Sequence, residues 1–316
     1  MNNKARNVIP RPPHPLQRQQ KLPWQTPKPA EEDLTAPARI EALLHSESYR
    51  QADEDVAFLR RDESRGLRLQ LDYSKPERLL QQHGIHHTIV VFGGTRIAEP
   101  AAARRRVEDL RKALLASPEN PELKQQLATA RRIQAKSHYY EIARDFGRLV
   151  GDSGSGPGDC RLVVMTGGGP GIMEAANRGA YDTGAKTVGL NITLPHEQYP
   201  NPYITPELCL RFHYFALRKM HFLLRARALV AFPGGLGTLD ELFETLTLIQ
   251  TRKISPLPVI LVGAEYWKKA FNFDFLVEEG VVDNEDRELF WFAETAQEIW
   301  ENILCWHEDN GTPLFG

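Results

Sequence analysis

Five short apolar runs recur along the chain: HTIVVFGG at 87–94, RLVVMT at 161–166, KTVGLNI at 186–192, ALVAF at 228–232 and PVILVG at 258–263. Each is followed by helix-like sequence or by a loop leading to it. Short runs this uniformly apolar predict strands covered on both faces, and strands alternating with helices predict a parallel sheet. The expected fold is therefore α/β, a doubly wound, Rossmann-like parallel sheet with helices on both faces. Such a sheet binds ligands beyond the carboxyl ends of its strands, where the glycine-rich turns of this chain also fall.

The pattern changes outside these repeats. Residues 1–36 cluster prolines (Pro10, Pro12, Pro13, Pro15, Pro23, Pro27, Pro29) with almost no apolar periodicity, which predicts a disordered or extended, solvated tail. The tail lacks the apolar core of a secretory signal, and its prolines oppose a transit-peptide helix. Over 37–84 the stretch RIEALLHSESYRQADEDVAFLRR places apolar residues at mixed three and four spacing, predicting a helical extension. Residues 85–316 form the expected Rossmann-like domain, interrupted at about 96–136 by two charged helices joined at SPENP, an inserted helical hairpin. Its Arg104-Arg105-Arg106 run fits a solvated helix face, since Glu108, Asp109, Glu119 and Glu122 are interspersed; contact with nucleic acid or a phosphorylated effector is the alternative.

Composition narrows the classes. A chain of 316 residues is long enough for an enzyme with one large core, and 41% hydrophobic with 25% charged residues is ordinary for a soluble protein. No apolar run approaches the ~20 residues needed to cross a bilayer. A formal charge of -2, from 39 basic and 41 acidic residues, makes nucleic acid or an anionic membrane an unexpected partner, so any anion site must be local. Cys160, Cys209 and Cys305 match neither a disulfide framework nor a metal-binding pair, which fits a reducing cytoplasm.

Two glycine turns carry the candidate chemistry. In VVMTGGGPGIMEAANRGA, Gly167, Gly168, Gly169 and Gly171 lie between a strand and a helix starting at Ile172. Glycines allow close backbone approach, and free amides at a helix start attract anions, so a phosphate fits there; a tight, empty turn is the alternative. A dinucleotide fingerprint would require glycine where Ile172 stands, and no Gly-Lys-Ser/Thr triplet exists for a P-loop. The second turn, AFPGGLGTLDELFE at 231–244, follows another strand, with its helix expected from near Thr238. Thr238-Leu239-Asp240-Glu241 reads as a capping box, which offers a purely structural role for Glu241. HYFALRKMHFLLRARALV is apolar nearly all round and predicts a buried helix, yet it carries Arg218 and Lys219. A buried guanidinium needs a carboxylate or phosphate partner, and Glu241 or a bound phosphate fits; a surface-facing Arg218 is the alternative.

Taken together, GGGPGIMEAANRGA, RKMHF and PGGLGTLDE resemble the Lonely Guy (LOG) family, over about 87–280. The resemblance implies a dimeric, doubly wound protein that hydrolyses the N-glycosidic bond of nucleoside 5'-monophosphates, AMP-like or cytokinin riboside 5'-monophosphates, to free base and ribose 5-phosphate. It implies Glu241 and Arg218 as the essential pair and Gly234, Gly235, Gly237 and Thr238 as the phosphate loop. The matched motifs add Gly168, Gly169, Gly171, Met173 and Lys219 to the phosphate- and substrate-binding positions. The family's RKxxM pattern ends in Phe222 here, and the tail, extension and insertion lie outside the short family pattern.

Cleaving a ribosyl C–N bond passes through an oxocarbenium-like state, which requires negative charge near C1' and an activated water. The expected mechanism has the glycine turns holding the 5'-phosphate and Glu241 contacting ribose and water. Arg218 is expected to orient Glu241 and keep it ionised. This chemistry calls for no cofactor and no metal; His213, His221, His86 and His87 read as structural or exposed. The rival class is a non-catalytic nucleotide-sensing or nucleic-acid-binding module. A lysine decarboxylase would need a Schiff-base lysine and a cofactor site, for which only Lys219 offers anything.

Overall fold

In the computed structural model, residue 16 and residues 20–156, 158–195 and 199–315 are described. Positions 1–15 and 17–19 of the expected Pro-rich tail lie outside the described residues. The five apolar runs become strands β1 (His87–Phe92), β2 (Leu162–Thr166), β3 (Thr187–Ile192), β5 (Ala226–Ala231) and β6 (Val259–Val262). Two further strands, β4 (Cys209–Phe212) and β7 (Trp291–Ala293), complete a seven-stranded parallel sheet of order β4-β3-β2-β1-β5-β6-β7. Neither edge strand is evident in the sequence pattern. β4 is only partly covered, and β7 is a three-residue piece whose first two residues are half-exposed, so neither carries a continuous apolar run.

Alternation along each strand splits the core in two. Ile89, Val91, Val164, Val230 and Ile260 face one layer, where α6 (His138–Gly151), α7 (Ile172–Asp182) and α12 (Ala296–Asp309) supply Phe146, Ala176 and Ile299. Val90, Phe92, Met165, Leu190 and Leu229 face the other. There α3 (Arg65–Gln82), α8 (Phe215–Leu224), α9 (Leu236–Gln250) and α10 (Ala264–Ala270) supply Leu80, Phe222, Leu242 and Trp267. α6 and α7 approach backbone to backbone: a Cβ on Gly147 would strike the Ala176 carbonyl, and one on Gly179 the Arg144 carbonyl.

After β1 come two antiparallel-joined insertion helices, α4 (Pro100–Ala116) and α5 (Pro121–Ala135), with a small core of their own from Val107, Leu110, Leu127 and Ala130. Asn120 caps α5 by accepting from the amides of Glu122 and Leu123. The chain divides into two compact units, Met1–Arg68 and Leu69–Gly316, with the division inside α3. In the first unit the continuous helical pattern expected from RIEALLHSESYRQADEDVAFLRR is broken. α1 (Ala36–Leu44) stops at His45, and the polar stretch 46–54 offers no apolar stripe to continue it. Asp55 then starts the short α2 (Val56–Leu59) by accepting from the Phe58 amide. A last short helix, α11 (Phe273–Glu278), lies between β6 and β7.

The strand order fixes where a ligand can enter. From β1 the chain winds outward through β2, β3 and β4, then returns to place β5 on the other side of β1 and winds away through β6 and β7. Connections leaving β1 and β5 therefore diverge, opening a crevice at their carboxyl ends.

Candidate active site

Both strands at that crevice end in glycines. β1 runs into Gly93-Gly94-Thr95 and β5 into Phe232-Pro233-Gly234-Gly235, and the Gly94 amide donates to the Pro233 carbonyl at 2.9 Å, tying the turns together. Between them lies a cleft of about 330 Å³. Its floor is Phe92, Gly93, Gly94 and Thr95; Met173, Phe215 and Arg218 form one wall, and 235–238 with Asp240 and Glu241 form the other.

The second wall is the start of α9. Its N-cap is Gly235, in extended conformation, so the helix begins at Leu236, earlier than the expected Thr238. The Thr238 and Leu239 amides both bond to the Gly235 carbonyl at 3.0 Å, while the amides of Leu236 and Gly237 precede any intrahelical acceptor. Donors and the positive end of the helix dipole thus point into the cleft. A Cβ on Gly235 or Gly237 would meet nothing within 4 Å, so these glycines keep open room at the cleft wall. Gly234 serves differently, leaving space for the Thr238 side chain and offering its carbonyl to the Tyr266 hydroxyl at 2.5 Å.

This register removes the capping-box alternative. With the N-cap at Gly235, Glu241 lies in the second turn, beyond the orphan amides that a capping glutamate serves. Its carboxylate accepts no hydrogen bond among the described residues, and the residue is only 6% exposed. Burial raises its pKa to about 7 against the attraction of Arg218 and Lys219, with Glu244 and Asp240 adding to the rise.

Arg218 reaches the same cleft from α8. Its Nε donates to the Leu190 carbonyl at 2.7 Å, and Nη2 lies 3.5 Å from the Gly167 carbonyl. The guanidinium also stacks toward Phe222, 5.1 Å from the ring centroid. Burial lowers its pKa, and Glu241 opposes that through space. Of the two partners expected for Arg218, Glu241 is not met directly: no ion pair joins the two among the described residues, and burial outweighs Arg218 in setting the state of Glu241. Nor is α8 buried all round. Only His221 and Phe222 are fully covered, whereas Phe215, Met220 and Leu224 are 50%, 37% and 48% exposed, because one stripe of a short surface helix suffices to cover its strands.

The 167–171 turn supports this wall. A Cβ on Gly167 would collide with Arg218 Nη2 and Met173 Sδ, so glycine there lets the arginine lie over the backbone. Gly168 donates to Thr166 Oγ1 at 3.0 Å, and Asn201 holds the turn from beneath, donating from its amide to the Gly168 carbonyl at 2.9 Å and from Nδ2 to the Gly169 carbonyl at 3.1 Å. Asn201 also bonds Asn177 Oδ1 at 2.9 Å, inside a buried polar cluster with Thr166 and Thr187. Gly171 packs under Gly94 and Thr95 with φ +75°, closed to any side chain.

Of the sequence-derived candidates, the structure gathers Glu241, Arg218, Met173, Gly235, Gly237 and Thr238 around one cleft. Gly168, Gly169, Gly171 and Gly234 stand behind it as turn residues. Lys219 is turned away as well: its ammonium is held by Asp240 and Glu244, both at 3.0 Å, and these hold its pKa up although burial works against the charge. Sequence reasoning missed Phe92, Gly93, Gly94, Thr95, Phe215, Leu236 and Asp240. The Gly-Gly ending the first apolar run was the available signal, since it is a third glycine turn at the same edge of the sheet.

A domain model described as "Possible lysine decarboxylase" matches residues 173–303. The cytokinin riboside 5'-monophosphate phosphoribohydrolase LOG4 of Arabidopsis thaliana is 30% identical over 159 residues, covering 48% of this chain and 72% of that protein. The probable cytokinin riboside 5'-monophosphate phosphoribohydrolase LOGL3 of Oryza sativa subsp. japonica is 30% identical over 150 residues, covering 45% of this chain and 67% of that protein. Among solved structures, the molybdenum cofactor carrier protein MCP from Chlamydomonas reinhardtii matches 69% of this chain and 98% of its own at 16% identity and a TM-score of 0.39, too remote to bear on function. The glycine turns, the arginine and the glutamate thus occur in a chain that belongs to the LOG family.

Proposed function

We propose that the protein hydrolyses the N-glycosidic bond of nucleoside 5'-monophosphates, of AMP or cytokinin-riboside type, releasing free base and ribose 5-phosphate. The observation that carries this reading is the buried carboxylate of Glu241, without a hydrogen-bond partner among the described residues, on the same cleft wall as a helix start that leaves the amides of Leu236 and Gly237 unpaired. The 5'-phosphate sits on the unpaired amides of Leu236 and Gly237, and its binding energy positions the ribose. Glu241, in its ionised form, lies beside C1': as the C1'–N bond breaks and its electron pair leaves with the base, Glu241 takes a proton from the water whose oxygen bonds C1', and that proton passes on to the departing base. With a pKa of about 7, the group exchanges protons readily near neutral pH. Arg218 biases Glu241 toward its charged form through space and anchors the opposite wall. Lys219, kept charged between Asp240 and Glu244, is unsuited to the Schiff base that a decarboxylase requires.

The homodimer and the cytoplasmic setting belong to the same reading. The exposed apolar residues Met220 and Leu224, which border a groove with Leu248, Ile254 and Leu257, support self-association. The free thiols of Cys160, Cys209 and Cys305 support a reducing compartment. Chromatography of AMP, GMP, CMP and isopentenyl-AMP after incubation with pure protein tests the activity. Free base with ribose 5-phosphate is the expected product, whereas unaltered nucleotide with measurable binding would replace the hydrolase with a nucleotide sensor.

A further inference from the structure

The helix that carries Arg218 is held at both ends by one other helix. At its entry, Asp72 of α3 accepts from the amide of His213, at 3.0 and 3.1 Å to its two oxygens, and from the amide of Tyr214 at 2.9 Å. Tyr214 is the N-cap of α8 and has no side-chain cap of its own, so Asp72 supplies from outside the carboxylate that a helix start favours. At its exit, Arg225, the C-cap residue of α8, forms a two-pronged pair with Glu77, also of α3, at 2.6 and 2.7 Å. That pair is well covered, with side chains 11% and 21% exposed, and the Arg225 hydrogen bonds hold the Glu77 carboxyl below the usual range. Between these anchors, Tyr73 packs on His221, ring centroids 5.3 Å apart, while His221 Nδ1 bonds the Leu217 carbonyl one turn back. Asp72, Pro76 and Leu80 recur every four residues along α3, with Tyr73 and Glu77 beside them; buried Pro76 and Leu80 fix that stripe against the core.

We propose that Asp72 and Glu77 are positioning residues of the site, acting from α3 on the two ends of α8 to fix Arg218 over Gly167 on the wall of the cleft. The inference rests on the hydrolase reading for its kinetic consequences, but the clamp itself is a property of the fold. Between its ends α8 is fixed by buried Phe222 and by the Lys219 ion pairs, while its outward residues Phe215, Met220 and Leu224 are exposed, so the clamp sets the position of the two ends and, with the Leu190 carbonyl, the reach of Arg218. Displacement of an anchoring group by about 1 Å is enough to lower turnover by roughly a hundredfold.

The test compares full-length wild type with Asp72→Ala, Asp72→Asn, Glu77→Gln and Arg218→Ala. Three quantities are measured: kcat and KM for nucleotide hydrolysis across pH, unfolding temperature, and amide hydrogen exchange of peptides spanning 213–225. Asp72→Ala and Glu77→Gln are expected to lower kcat about tenfold to a hundredfold, with KM moved far less. They should also shift the acid limb of the rate profile to higher pH, because a displaced Arg218 leaves Lys219 alone to favour the Glu241 anion against Glu244 and Asp240, and speed exchange over 213–225. Asp72→Asn, which keeps an acceptor oxygen, should recover most of the loss. Should Asp72→Ala fail to fold, Glu77→Gln carries the same readouts. If Arg218→Ala is inactive while the α3 variants keep wild-type kcat, acid limb and exchange, the clamp is refuted and the hydrolase reading survives. If wild type hydrolyses no nucleotide, that reading falls alone, and exchange judges the clamp: faster exchange over 213–225 supports it, unchanged exchange overturns it.

Discussion

Replacing Glu241 with glutamine separates its charge from its shape. In the folded chain burial raises the carboxyl from its ordinary value of 4.5 to about 7, so between these values the native state binds more protons than the unfolded chain. Stability then falls as pH rises through this window and levels off above it, the reverse of the behaviour of a salt-bridged carboxylate. The cost of holding the ionised group is about 3 kcal/mol above pH 8 and under about 1 kcal/mol near pH 5. Glu241→Gln removes the titration while keeping volume and burial. The gap in unfolding free energy between variant and wild type should therefore widen by about 2 to 3 kcal/mol from pH 5 to pH 8. His87 and His307, whose pKa values burial lowers, titrate equally in both proteins and cancel in the difference. The assay is urea unfolding followed by circular dichroism at several pH values, alongside product analysis. In the same variant, turnover should be lost with nucleotide binding retained, and wild-type kcat/KM should fall as pH drops below about 7. Parallel stability curves would show that the carboxyl is solvated or paired, and retained turnover would remove Glu241 from the chemistry.

Gly237→Ala puts a methyl into open cleft space within a helix, so stability should hold or rise by about 0.5–1 kcal/mol while KM rises at least tenfold, measured by steady-state kinetics beside thermal unfolding. An unchanged KM would place the phosphate elsewhere. Lys219→Ala strips the partner from Asp240 and Glu244, the latter with an oxygen otherwise unsatisfied, and should cost about 1–3 kcal/mol in urea unfolding while raising the Glu241 pKa, seen as an upward shift of the acid limb. Leu224→Asp, on the exposed apolar side of α8, is expected to convert a dimer to monomer by light scattering with the monomer fold intact.

Much of this was already determined by the sequence. Five apolar runs, each ending near a turn, dictate a parallel sheet, because strands without a polar face must be covered on both sides, and PGGLGT after ALVAF dictates a helix start with spare amides. The edge strands β4 and β7 escaped notice because exposed or very short strands lose the continuous apolar signal. Only tertiary structure decided which candidates meet. Gly168 and Lys219 share motifs with Arg218 and Met173, yet Asn201 and Asn191 close over the first, and Asp240 with Glu244 draws away the second. Likewise the local Thr238-to-Glu241 spacing allowed a cap, but the packing of Gly234 against Thr238 and Tyr266 starts α9 at Leu236, carries Glu241 into the second turn and buries it. Local sequence sets which backbone groups are left unpaired, whereas burial and the approach of distant chains set the charge and company of each side chain, and those properties exist only once the sheet has brought β1 and β5 together.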